Sequence, residues 1–137
     1  MANTVPFKLI TPTQIVFEGP AELVIAVGTE GEEGILPHHA PFLTALKPGV
    51  LRANVEESGA TKRIELATSE GFMQALPDRV TVLVNQALKF EDVDVAAARN
   101  DIAAATERLA AATDAATQQR EQANIDFANA KLRLTGH

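Results

Sequence analysis

The chain has 137 residues, 46% hydrophobic and 22% charged, the proportions of an ordinary globular protein of one or two small domains. Twelve Lys and Arg against eighteen Asp and Glu leave a formal charge of −6, which repels a phosphate backbone and argues against a nucleic-acid partner. With no cysteine, disulfides, thiolate nucleophiles, iron–sulfur clusters and cysteine zinc sites are excluded. No run approaches the ~20 apolar residues of a membrane span, and Met1 to Ile10 carries neither an export signal nor an Arg-rich transit pattern. The sequence therefore predicts a soluble chain without direct membrane insertion, linked to any membrane through a partner.

Punctuation divides the chain in two. All seven prolines and seven of the eight glycines lie at or before Pro77, whereas residues 91–134 contain neither. In the first part, apolar residues recur at period two in short runs bounded by Gly, Pro, Asn or Asp, the pattern of half-buried strands. Candidate strands are residues 7–10, 14–18, 23–27, 42–46, 50–56, 62–68, 72–76 and 79–84. Residues 50–56 alternate most cleanly, with Leu51, Ala53 and Val55 on one face and Arg52, Asn54 and Glu56 on the other. Two hairpins are expected, one through Ser58-Gly59 and one through Pro77-Asp78. Eight to ten strands in so short a stretch predict two packed sheets, since one open sheet would leave an apolar face in water. The predicted fold class is β+α: an N-terminal β-sandwich, or flattened barrel, over residues 1–88, and a C-terminal antiparallel two-helix hairpin over residues 89–137.

From Asp92 onward alanine dominates. Val95, Ala98, Ile102, Ala105, Leu109 and Ala112 recur at steps of three and four, the seam of a helix that packs on another helix. Asp92 or Asp94 caps its start. A second seam runs through Glu121, Ile125, Ala128 and Leu132, flanked by Phe127 and Leu134, with Thr113 or Asp114 as the cap between them. Alanine gains only a fraction of the ~1.5–3 kcal/mol of a buried Leu or Ile, so weak docking is predicted. The break near Thr113 has no Gly or Pro, and nothing covalent forbids the helices from merging into one.

The chemistry-bearing inventory is poor: Ser58, Ser69, His38, His39 and His137, with no Tyr or Trp. Thr68-Ser69-Glu70-Gly71 is not the nucleophile elbow G-x-S-x-G. His38 and His39 lie close to Glu30, Glu32 and Glu33, but adjacent residues of an extended segment project oppositely and do not share one ion easily. The expectation is one histidine buried with a hydrogen-bond partner and one exposed. A metal-dependent sandwich lyase using both as ligands is the competing class, separable by metal analysis of the purified chain. Gly28-Thr29-Glu30-Gly31-Glu32-Glu33-Gly34 has the glycine spacing of a phosphate cradle. However, Ile35-Leu36-Pro37 follows where Lys-Ser/Thr and a helix are needed, and three carboxylates would repel phosphate. It reads as an acidic turn facing solvent or a partner.

GTEGEEGILPHHAPFLTALKPGVLR at 28–52 and LPDRVTVLVNQALKFEDVD at 76–94 strongly resemble epsilon subunits of F-type proton-translocating ATP synthases. The pattern G-[ST]-E-G-x-x-G-I-x-P-x-H-A-P-[FL]-[LI]-T-x-[LI]-x-P-G is satisfied from Gly28 through Gly49. The resemblance implies a ten-stranded sandwich followed by two helices. It also implies a noncatalytic central-stalk subunit that binds the gamma subunit and the membrane ring of c subunits, peripherally at the cytoplasmic face of a bacterial inner membrane. By the same resemblance, Glu30, Gly31 and Glu32 meet the c ring, and His39, Ala40 and Pro41 lie toward gamma. The C-terminal helices would extend transiently to the alpha and beta subunits and restrain ATP hydrolysis. Charge reversal at Glu32 is expected to weaken attachment to the ring. Some members of the family bind ATP through [IL]-D-x-x-R-A at the start of the first helix. Here Val93-Asp94-Val95-Ala96-Ala97-Ala98 puts Ala97 in the arginine position, with Arg99 two residues on, so no strong ATP site and no cofactor are expected.

Overall fold

Period-two alternation becomes two layers closed around one core. The computed structural model describes residues 3–137. The strands are Val5–Thr11 (β1), Gln14–Gly28 (β2), Gly31–Ile35 (β3), Phe42–Leu46 (β4), Gly49–Glu57 (β5), Ala60–Thr68 (β6), Gly71–Leu76 (β7), Arg79–Val84 (β8) and Ala87–Lys89 (β9). A 3-10 turn, Phe90–Asp92, leads to helices Val95–Ala111 (α1) and Ala115–Leu134 (α2). Hydrogen-bonded neighbours run β1-β8-β7-β4-β2-β5-β6-β9, and β1 also pairs β2, so the sheet closes on itself as a flattened barrel. Alternating residues of both layers meet inside: Phe7, Leu9, Val82 and Met73 from one, Val24 and Leu51 from the other.

Nine strands form among the described residues where the resemblance implied ten, because the expected strands at 14–18 and 23–27 are one. Gly19-Pro20 does not break β2. Pro20 lies opposite Pro6 of β1, and two residues without N–H groups can face each other at a non-hydrogen-bonded position of an antiparallel ladder. The register against β5 shifts between Ala21 and Leu23, a bulge that bends the chain. The first half of β2 pairs β1, and the second half pairs β3 and β5. One strand thus occupies a place in each layer, which restores five positions per layer.

The outer face of β5, β6 and β9 is covered by α2. Phe127 and Ala130 are buried there against Ala67, with Val50, Leu88 and Leu134 around them. The predicted flank of the second seam is therefore its sheet-facing side. Asp94, not Asp92, caps α1 through the Ala97 N–H (3.0 Å), and Asp114 caps α2 through the Thr117 N–H (2.9 Å). α1 packs on α2, burying Ala98 and Ala105. The polar member of the second seam, Glu121, is only 4% exposed. Its carboxylate accepts from Arg108 Nε of α1 (2.8 Å) and Asn124 Nδ2 (3.4 Å).

The Arg108 hydrogen bond holds the Glu121 carboxyl below its usual value of 4.5, against the opposing effect of burial. A lowered folded-state pKa contributes stability above the ordinary glutamate range, and that contribution is lost as pH falls through the lowered value. Asp114, held down by its cap to Thr117, acts in the same direction. The hairpin is expected to loosen in acid below about pH 4.5, read as faster amide exchange in α1 and α2 than in the sandwich. Glu121→Gln should flatten that acid dependence; an unchanged profile would assign it to other carboxyls.

Candidate functional site

The acidic segment is a tight hairpin, which corrects its reading as one long turn. Only Thr29 and Glu30 turn; Gly31 pairs with Gly28, and Glu32 and Glu33 lie on β3 opposite Val27 and Ala26. Gly31 has φ +127°, in the range that requires glycine at the exit of the turn. The glutamates differ. Glu32 forms an ion pair with Arg52 of β5, so its charge is already matched within the chain. Glu33 is half-buried, and Glu30 is exposed at the tip with no ion pair among the described residues.

His39, Ala40 and Pro41 lie in the β3–β4 connection. His39 is half-buried, its Nδ1 is 2.7 Å from the Ala40 carbonyl oxygen, and its ring meets Phe42 edge-on at 6.0 Å. His38 is exposed with φ +65°, a left-handed conformation that strains a side-chain-bearing residue. Among the described residues no three His, Asp or Glu side chains converge as a metal shell would require. The two groups flagged in the sequence do not come together. Pro41 precedes β4, whereas Leu46 at the other end of β4 pairs with Gly28 beside the acidic turn, a separation of roughly 17 Å along the strand.

Between them lies a feature the sequence did not isolate. Register places Ile15 of β2 opposite Ile10, Ile10 beside Leu83 of β8, Leu83 opposite Phe72 of β7, and Phe72 opposite Ala45 of β4. All five belong to one outer face, and Ile15, Phe72 and Leu83 are 57%, 58% and 43% exposed. Leu43, 69% exposed, extends the patch toward Pro41. A hollow of about 310 Å³ lies at its edge, lined in part by Ala45, Phe72, Leu83 and Asn85. The opposite outer face has α2; among the described residues, no element covers this one.

Comparison with known proteins decides the family. Residues 4–90 match the family described as ATP synthase, Delta/Epsilon chain, beta-sandwich domain. The ATP synthase epsilon chain of Chromobacterium violaceum is 39% identical over 126 residues, covering 92% of this chain and 89% of the relative. The chain belongs to the ATP synthase epsilon-chain family. Its fold is also that of a chain in the Euglena gracilis mitochondrial ATP synthase, solved as OSCP/F1/c-ring in rotational state 1. That chain has a TM-score of 0.78 and 20% identity, with 98% of this chain and 82% of that one covered. A chain of the Tetrahymena thermophila mitochondrial ATP synthase central stalk/c-ring matches at TM-score 0.66 and 15% identity, with 96% of each covered. Among the described residues of this epsilon-family chain, no helix is long and apolar enough to cross a membrane.

Proposed function

We propose that this epsilon chain is a noncatalytic coupling element of the rotor, holding the gamma subunit to the c ring and carrying torque between them. The observation that carries the reading is asymmetric coverage of the sandwich. One outer face is partly covered by the chain's own α2, while the other carries an apolar row across five strands with Ile15, Phe72, Leu83 and the neighbouring Leu43 exposed. An apolar patch of that kind marks a docking surface, and the closed, hydrogen-bonded sheet behind it resists deformation under load. Gamma is assigned to this face, with His39, Ala40 and Pro41 at its border. The c ring is assigned to the acidic turn, where Glu30 orients basic or amide-bearing loops more than it adds affinity. The complex would hold the chain peripherally at the cytoplasmic face of a bacterial inner membrane. Its C-terminal helices would restrain ATP hydrolysis by reaching the alpha and beta subunits.

The test is capture by the full chain from detergent-solubilised membranes. Gamma and c subunits should both be retained, and absence of both would end the proposal. Glu30→Lys should lower ring retention several-fold while leaving binding to isolated gamma unchanged. Glu32 is the poorer probe, since a lysine there would stand against Arg52 and disturb the turn itself. Equal ring retention by Glu30→Lys and the parent chain would remove the acidic turn from the interface.

A further inference from the structure

The uncovered face of the sandwich changes character along its strands. Two residues from the apolar row, on the same side of the sheet, register sets Glu18 opposite Lys8, Lys8 beside Thr81, and Thr81 opposite Gln74. Two residues further, Pro20 lies opposite Pro6, and Arg79 opens β8 opposite Leu76. A hollow of about 680 Å³ opens between these rows. Its lining sets the short side chains of Pro6, Pro20 and Thr81 beside the long ones of Lys8 and Arg79, and the difference in reach leaves the space.

The two cations of the hollow differ. Lys8 Nζ is 3.3 Å from Glu18 Oε2, so its charge is matched within the chain. Arg79 is exposed and has no ion pair among the described residues. An unmatched guanidinium on a chain of net charge −6, at the border of an apolar docking surface, selects a carboxylate opposite it, which its planar fork can bind through two hydrogen bonds.

The position of the hollow adds direction. It lies toward the end of the face where Phe42 pairs Ala75, next to Pro41. At the other end Leu46 pairs Gly71, and there Glu70 is exposed. Along β8, Arg79 stands four residues, roughly 13 Å, from Leu83 of the apolar row. A partner that reaches both must carry an apolar anchor and a carboxylate about that far apart. Turned end for end, the same partner would bring its carboxylate toward Glu70, a like-charge contact that disfavours the reversed pose.

We propose that the hollow receives a carboxylate of the gamma subunit, bound by Arg79, and that this contact fixes the direction in which gamma lies across the apolar row. The inference rests on the assignment of gamma to this face, and goes beyond it in naming the residue that orients the partner and the charge the partner must carry.

Calorimetric titration of gamma into the full chain tests it. Arg79→Glu should weaken binding by about 10-fold or more. Lys62→Glu, the same change of charge on exposed β6 of the other layer, should leave the affinity unchanged. Arg79→Gln should lose less than Arg79→Glu and should make the affinity less sensitive to added salt. Among single Asp or Glu to Lys substitutions in gamma, one should restore the affinity of Arg79→Glu while weakening binding to the parent chain. Phe72→Glu separates the two levels of the argument. If Phe72→Glu binds weakly and Arg79→Glu binds like the parent, the inference is overturned and gamma keeps its face. Parent affinity in both variants removes gamma from the face altogether. Equal losses in Arg79→Glu and Lys62→Glu would reduce the effect to net charge and overturn the role of Arg79.

Discussion

Phe72→Glu is expected to weaken binding to the gamma subunit by at least about 30-fold, the ~2 kcal/mol or more typical of an aromatic anchor at an interface centre. Phe72 sits mid-row, with Ala45 on one side and Leu83 on the other, and more than half of its surface is open. In the free chain a glutamate there remains in water, so folding should change by no more than the ~0.5 kcal/mol usual for surface substitutions. In the complex the same carboxylate would be stripped of water against apolar groups. The free state is therefore nearly indifferent to the change, and almost the whole effect falls on binding. Phe90→Glu is the control: Phe90 is equally exposed, at 59%, but follows β9 in the other layer. Calorimetric titration of gamma into each variant should separate the two. Equal affinities for Phe72→Glu and Phe90→Glu would place gamma elsewhere and leave the apolar row without its occupant.

That row explains what the sequence could and could not disclose. Within a strand, the inward set was legible: Leu51, Ala53 and Val55 alternate in sequence and all three are buried. The helix seams were legible for the same reason, since spacing of three or four residues fixes a face of one element; each helix start was narrowed only to two neighbouring candidates, of which Asp94 and Asp114 are the caps. Illegible features depended on pairing between distant segments. Ile10, Ile15, Ala45, Phe72 and Leu83 come from five strands, and only register puts them in line. β3 looked like a loop because its glycines and carboxylates disfavour a strand. It forms because β2 offers an edge and Arg52, twenty residues from Glu32, matches the charge. Glu121 was visible as a polar interruption of a seam, but its partner Arg108 lies on the other helix, so its burial could not be read. Two of the six flagged site residues change meaning accordingly: Glu32 is already paired within the chain, and Gly31 is required by backbone geometry whether or not the c ring touches it.

The same dependence on distant pairing makes Gly71→Ala the largest expected loss of stability. Gly71 is the first residue of β7 and sits between two strands, paired with Leu46 of β4 on one side and Val84 of β8 on the other. A Cβ built there would lie 1.9 Å from the Leu83 carbonyl oxygen and 2.7 Å from the Val84 Cα. Both are backbone atoms, so no side-chain rotation relieves the clash. β7 and β8 must separate, at the point where the β6–β7 connection (Ser69, Glu70) and the β8–β9 connection (Asn85, Gln86) are joined by Ser69–Gln86 hydrogen bonds. Overpacking ordinarily costs ~1–3 kcal/mol, and displacement of main chain puts this case at or above about 3 kcal/mol. At ~4 °C per kcal/mol for a domain of this size, the melting temperature should fall by roughly 12 °C or more. Gly34→Ala is the matched control, because its added methyl meets only Leu23 Cδ1 at 3.8 Å and φ there is unexceptional. Loss of glycine entropy in the unfolded chain should leave that variant neutral or more stable by a few tenths of a kcal/mol. Thermal melts followed by circular dichroism distinguish the two. Equal melting temperatures would mean that β7 and β8 can part at this position without disturbing the sandwich, and the stiffness assigned to the coupling element would lose its structural basis.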